Sequence, residues 1–233
     1  LALFEIGPAF HGGEPGEQKL VATGLLVGAS AARDPHASRR GVDVFDAKAD
    51  VEAELAALGA PQRVQVGRSL PAWWHPGRSG AMTLGKTVMA EFGEVHPKVL
   101  RAMDVKGPAV AFTIHVEEVP FPKAAATTRP ALVLSDLQAV ERDFAFVVDA
   151  GVEALTIVNA AQGADKALID SVRVFDEFAG EKAEAQMGAG KKSLAITVRL
   201  QPSEKTLTED EIEAVAAKIV EKVAKATGGT LRS

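Results

Sequence analysis

Asp176, Phe178, Lys191, Lys192 and Ser193 fall in two short phrases, Val174-Phe175-Asp176-Glu177-Phe178-Ala179-Gly180 and Gly190-Lys191-Lys192-Ser193-Leu194. A carboxylate accepts hydrogen bonds from a base edge, and a serine hydroxyl donates or accepts. An aromatic ring stacks on a base, worth about 1–3 kcal/mol, and ammonium groups meet phosphate. Together these types fit recognition of single-stranded nucleic acid. They act together only if both phrases end neighbouring strands of one sheet. Alternation along an unbroken strand puts Val174, Asp176 and Phe178 on one face and Phe175 and Glu177 on the other. An Asp sharing a face with Phe178 argues against deep core there. The competing reading makes Phe178 a core residue and the lysines solvated. Arg142 in Glu141-Arg142-Asp143-Phe144 either pins the sheet through an ion pair or touches RNA.

Other chemistry is thinly represented. Trp74-His75-Pro76-Gly77-Arg78-Ser79-Gly80 concentrates polar and rigid residues: either His75 or Arg78 is catalytic or ligand-binding, or, the favoured reading, the stretch is a turn between strands with Trp74 covering a core edge and Arg78 in a structural ion pair. Glu94 and His96 stand close enough in sequence for general acid–base work. His11, His36, His75, His96 and His115 include no His-x-x-x-His or His-Glu-x-x-His spacing, so no metal site is expected. No phosphate loop, dinucleotide fingerprint or nucleophile elbow is present. The chain has no Cys, which removes disulfides and thiolate chemistry.

The elements that must position these residues divide into two sets. The first is an antiparallel sheet with helices on one side. Its expected strands are Leu1–Ile6, Gln18–Gly28, Ala81–Leu84, Thr87–Phe92 and Ala109–Val116, with a hairpin at Gly85-Lys86. Its expected helices are Asp50–Leu58, stopped by Gly59, and His96–Met103, with Pro97 in its first turn. A proline-rich stretch, Glu118–Pro130, reads as an extended linker. The second set reads strand, helix, strand, strand, helix, strand: Val140–Val148, Val152–Ala161, Ile169–Phe178, Ser193–Leu200, a helix from Thr208, and Thr230–Arg232 at an edge. Thr208 and Glu211 have capping-box spacing, and Ile212, Val215, Ile219 and Val223 form an apolar stripe. Phe144, Phe146 and Val148 face one way. Gly188–Gly190 reads as a flexible crossing between the second and third strands. The order βαββαβ is that of ferredoxin-like sheets. The fold class is therefore α+β, with domains at 1–120 and 130–233 and a linker at 121–129.

The formal net charge is −5 over 233 residues. Proteins that grip duplexes through phosphate are usually basic, so RNA contact here is expected to be local and base-centred. No apolar run is long enough to span a membrane, and no secretory leader is visible. With the absence of Cys, a cytoplasmic location is the expectation. Leu1 lies inside an apolar, strand-like stretch, as expected of a piece of a longer chain.

Leu3-Phe4-Glu5-Ile6-Gly7, His75-Pro76-Gly77-Arg78-Ser79, Gly93-Glu94-Val95-His96-Pro97, Arg142-Asp143, Phe175-Asp176, Lys191-Lys192-Ser193-Leu194 and Lys205-Thr206-Leu207-Thr208-Glu209-Asp210-Glu211 occur in this order. In order and spacing they resemble the C-terminal portion of the bacterial phenylalanyl-tRNA synthetase β subunit, over essentially the whole chain. The resemblance implies that residues 1–120 are the rear part of a catalytic-like, non-catalytic module with a class II synthetase fold. It implies that residues 130–233 are a ferredoxin-fold anticodon-binding domain. The implied partners are an α subunit that carries the ATP- and magnesium-dependent chemistry, phenylalanine tRNA, and a second αβ pair in a heterotetramer. No catalytic residue and no cofactor are expected in this piece. Leu3–Phe10 has no arginine for ATP in the position of the second class II motif, and the glycine-rich turn ending in Glu-Arg of the third is missing. The expected RNA-binding set is Arg142, Asp176, Phe178, Lys191, Lys192, Ser193 and Arg232. The family commonly has Tyr where this chain has Phe178, so stacking survives without the hydroxyl. Ala179 stands where a longer polar side chain is common, and Glu177, Glu181 and Glu184 add negative charge nearby. A scaffold that packs on the α subunit without reading RNA is the alternative.

Overall fold

Alternation of apolar and polar residues over residues 18–27, 87–95 and 109–115 builds one antiparallel sheet. A separate sheet forms from 140–149, 169–178 and 191–200. The computed structural model describes residues 1–36, 39–61, 64–121, 131 and 134–232. Chain packing divides it into two units, Leu1–Thr128 and Arg129–Ser233. The expected linker lies, from residue 122 to 129, outside the described residues.

In the first unit, strands β1 (Ala2–Phe10), β2 (Gln18–Val27), β3 (Gln65–Gly67), β4 (Trp74–Leu84), β5 (Thr87–Val95) and β6 (Ala109–His115) form a sheet of order β1-β2-β6-β5-β4-β3. Helix α1 (Val44–Ala57) packs Ala47, Val51 and Leu55 against Met89, Phe92, Val110, Phe112 and Ile114 on one face. It begins earlier than the expected Asp50. The reason is local: Asp43 accepts from the Phe45 amide at 2.8 Å, and the Asp46 carboxylate returns to the Asp43 amide at 2.9 Å, forming a capping box. Gly59 has φ +74°, the left-handed conformation that ends such a helix. A Cβ on Gly24 would stand 2.2 Å from the Phe112 ring, so glycine lets that ring lie over β2. Helix α2 (Pro97–Ala102) is capped by His96, whose Nδ1 accepts from the Lys98 amide at 3.1 Å.

The stretch Trp74–Gly80 is strand, not a turn. Trp74 pairs with Val95 and Ser79 with Gly93, and the register shift between them accommodates Pro76 and Gly77. The expected roles of its side chains hold in this setting. Trp74 is buried and donates from Nε1 to Glu91 at 2.8 Å, and Arg78 pairs with Glu94 at 2.6 Å.

In the second unit, β7 (Val140–Asp149), β8 (Ile169–Phe178), β9 (Lys191–Leu200) and β10 (Thr230–Leu231) form an antiparallel sheet of order β10-β7-β9-β8. Helices α3 (Ala154–Gln162) and α5 (Glu209–Thr227) cover one face. A short α4 (Glu181–Met187), not expected from the sequence, lies between β8 and β9 and ends at Gly188, where the expected Gly188–Gly190 crossing begins. The core joins Phe144, Phe146 and Val148 of β7 to Leu194, Ile196, Val198 and Leu200 of β9. Ile157 of α3 and the expected stripe Ile212, Val215, Ile219 and Val223 of α5 complete it. Burying each such side chain contributes about 1.5–3 kcal/mol. Thr208 accepts from the Glu211 amide, and Glu211 returns to the Thr208 amide at 2.9 Å. Lys205, together with that amide and the Thr208 hydroxyl, lowers the Glu211 carboxyl to about 2.

Candidate nucleic-acid interface

One face of the four-stranded sheet carries α3 and α5; the opposite face, termed the open face, carries neither. Residues paired directly across an antiparallel ladder share a face, so the register assigns each side chain. Phe144, Phe146 and Val148 mark the helix side. Asp143, Ala145, Val147 and Asp149 therefore mark the open side, together with their partners Thr197, Ala195, Ser193 and Lys191.

The register of β8 slips between Val174 and Asp176. Val174 pairs with Ile196 and packs in the core, whereas Asp176 pairs with Ala195 and Phe178 with Ser193. The expectation that Val174, Asp176 and Phe178 share a face is thus corrected. Phe175 is an unpaired extra residue, and a β-bulge of one residue inverts the alternation beyond it. The inversion brings Asp176 and Phe178 to the open face beside Ser193. At the other edge, Thr230 pairs with Val147, and the Arg232 amide donates to the Ala145 carbonyl at 2.7 Å. Continuing that register puts Arg232 on the open face.

Two rows cross the sheet. One runs Arg232, Ala145, Ala195, Asp176; the other runs Thr230, Val147, Ser193, Phe178. Their centre is built of small residues. Ser193 is only 4% exposed and makes no side-chain hydrogen bond among the described residues. Phe178 is half-buried and Asp176 exposed. The arrangement is a shallow floor with a ring and a carboxylate at one edge and a guanidinium at the other, suited to a flat, hydrogen-bonding ligand such as a base.

Three members of the expected set are engaged elsewhere or differently. Arg142 pairs with Val198 in the ladder, lies on the helix side and bonds Glu209 of α5 at 3.1 Å. Lys192 pairs with Val148, also on the helix side, and its ammonium meets Glu177 at 3.0 Å with only 12% of the side chain exposed. Neither is brought to the face of Asp176, Phe178 and Ser193. Lys191 is on that face but is held by Asp149 at 2.6 Å. Glu181 and Glu184, expected only as surrounding charge, lie in the first turn of α4, where a helix dipole favours them.

Arg173 was not in the expected set. It pairs with Thr197 on the open face, is exposed, and has no side-chain partner among the described residues. The alternation of Ser171 and Arg173 with Val172 and Val174 was the signal available for it.

In the first unit, Glu94 and His96 do not form an acid–base pair: Glu94 is bound to Arg78, and His96 caps α2. Away from α1, the ladder aligns Glu5, Thr23, Thr113 and Glu91. The His115 imidazole 3.9 Å away and the Trp74 Nε1–H hold the Glu91 carboxyl below its ordinary range despite burial.

Residues 135–232 match the family described as Ferredoxin-fold anticodon binding domain, and residues 1–116 match Phenylalanyl tRNA synthetase beta chain CLM domain. The chain is 76% identical over 232 residues to the phenylalanine–tRNA ligase beta subunit of Cereibacter sphaeroides. It is 69% identical over 233 residues to that of Ruegeria pomeroyi and 54% identical over 235 residues to that of Rhodospirillum rubrum. Each match takes in 100% of this chain and 29% of the relative, so the chain spans less than a third of the proteins it resembles.

Proposed function

The chain belongs to the phenylalanyl-tRNA synthetase β-subunit family, and on that premise we propose that its second unit binds the anticodon of phenylalanine tRNA on the open face of the four-stranded sheet. The observation that carries this is the bulge at Phe175, which gathers Asp176, Phe178 and Ser193 on the face opposite α3 and α5. Phe178 stacks on a base, Asp176 accepts from that base's N–H groups, and the Ser193 hydroxyl supplies the remaining hydrogen bond. Arg232 meets backbone phosphate at the far edge, and Lys191 adds charge when Asp149 shares it. Arg142 and Lys192 keep their helix-side ion pairs and hold the sheet in shape.

The first unit, residues 1–120, is the rear of a class II-like, catalytically silent module that packs on the α subunit. Edge strand β1 supports that role, since Leu3, Phe4, Ile6 and Phe10 are all exposed on it, and an exposed apolar edge calls for cover. Two αβ pairs then form a heterotetramer in the cytoplasm. ATP and magnesium serve charging in the complete enzyme. The row Glu5–Thr23–Thr113–Glu91 does not fit a triphosphate, since it offers carboxylates and hydroxyls and no cation. The chemistry is therefore assigned to the partner.

The test is binding of the full-length assembled enzyme to phenylalanine tRNA and to the same tRNA with its anticodon bases changed. Preference for the native anticodon is expected. Equal affinity for all of them leaves only the role of a scaffold.

A further inference from the structure

Four cations stand on the open face of the second sheet. Lys191 is held by Asp149, and Arg199 by Asp170 at 3.4 Å. Arg173 on β8 and Arg232 beyond β10 have no side-chain partner among the described residues. They occupy opposite edges of the sheet, three strand spacings or about 14 Å apart across it and one ladder row, about 7 Å, apart along it. Arg173 shares its row with Thr197 and Asp143, and Arg232 shares the next row with Ala145 and Ala195, so the side chains between them are short. The nearest acid along the Arg173 row, Asp143, is occupied by the Thr197 hydroxyl at 2.6 Å and does not reach Arg173. In a chain of net charge −5, a guanidinium with no carboxylate partner is a local anion site, and the fork of arginine matches phosphate oxygens; the Phe178 ring lies two ladder rows further along β8, beyond Asp176.

We propose that Arg173 is a phosphate contact for single-stranded RNA and that, paired with Arg232 at the opposite edge, it sets the path of that strand across β8, β9, β7 and β10. The inference rests on this face reading RNA and adds the route of the backbone. Phosphate contacts position the ligand and base contacts specify it. Arg173 therefore raises affinity for every anticodon alike, while Asp176 and Phe178 discriminate.

The experiment measures tRNA affinity of the full-length assembled enzyme between about 50 and 200 mM salt, using native and anticodon-altered tRNA. Arg173→Gln is expected to weaken both RNAs by the same factor and to reduce the slope of log affinity against log salt by about 0.7, the value for one single-strand phosphate. Arg173→Lys is expected to keep the slope and lose part of the affinity. Phe178→Ala, measured alongside, is expected to shrink the native-to-altered ratio. If Phe178→Ala shrinks the ratio and Arg173→Gln changes neither affinity nor slope, the phosphate contact is overturned while anticodon reading stands. If Arg173→Gln changes the ratio instead of the common affinity, Arg173 touches a base and the assignment is likewise overturned. If Arg173→Gln weakens association with the partner subunit and spares tRNA, the face meets protein. If neither variant has any effect, anticodon reading on this face falls, and the inference with it.

Discussion

The two sheets share a plan, an antiparallel ladder with helices packed on one side, and differ in what they leave unpaired. On the six-stranded sheet two carboxylates are satisfied within the sheet: Trp74 and His115 converge on Glu91, and Arg78 holds Glu94. Its edge strand β1 exposes apolar residues on both faces, Phe4 and Ile6 on the side of Phe112 and Ile114 and Leu3 on the other, with Phe10 at its end. On the four-stranded sheet the apolar residues are consumed by α3 and α5, and what stays free is polar or aromatic: Arg173, Arg232, Asp176, Phe178 and Ser193. An exposed apolar edge is suited to protein. A polar floor with a ring and unpaired guanidinium groups is suited to single-stranded RNA. The lesson is that function follows the unpaired groups and not the architecture.

The strongest way to break the contrast is to remove one sheet. Phe146→Ala empties a fully buried position in the second unit and is expected to cost about 3–5 kcal/mol. Denaturant unfolding should show this, with tRNA affinity lost for every anticodon while association through the first unit persists. Phe4→Asp attacks the other side. It puts charge on the apolar edge without touching the core of the first unit, so co-purification with the α subunit should fall while the stability of the second unit is unchanged.

A smaller effect sharpens the description of the first sheet. Trp74→Phe removes one donor to Glu91 and should destabilise the first unit by about 1–3 kcal/mol. The Glu91 carboxyl is lowered from 4.5 in the folded chain. Its pairing therefore adds stability that is present above 4.5 and is lost as pH falls through the lower folded value. The variant should show a shallower loss of stability in acid over that range. Smallest of all, Arg142→Gln removes an exposed ion pair on the helix side, worth about 0–1 kcal/mol, while Lys192→Gln removes one whose lysine side chain is mostly buried and should cost more stability. Both should leave the salt slope of tRNA binding and the anticodon preference unchanged, which separates them from Arg173.

Local signals made α5 and most strands legible in sequence. Thr208 and Glu211 fix the helix start, and Ile212, Val215, Ile219 and Val223 its buried face, all within a few turns of chain. The three residues of β3 and the seven of α4 are too short to show a period. The turn-like composition of His75–Gly80 concealed a strand because a register shift in the ladder, a tertiary feature, accommodates Pro76 and Gly77 there. The site was half legible for the same reason. Residue types marked Asp176, Phe178 and Ser193. Which face they share depends on the slip at Phe175, and that slip exists only once β8 is paired with β9. The same register sends Lys192 to the helix side although Lys191 and Ser193 flank it.

The most direct measurement is the ratio of affinities of the assembled enzyme for native and anticodon-altered phenylalanine tRNA, before and after Phe178→Ala. Loss of one stacked base predicts that affinity for the native tRNA falls by about 5- to 150-fold, and that the ratio falls as the base is no longer held against Asp176. A ratio unchanged by the substitution would contradict the assignment of this face to the anticodon.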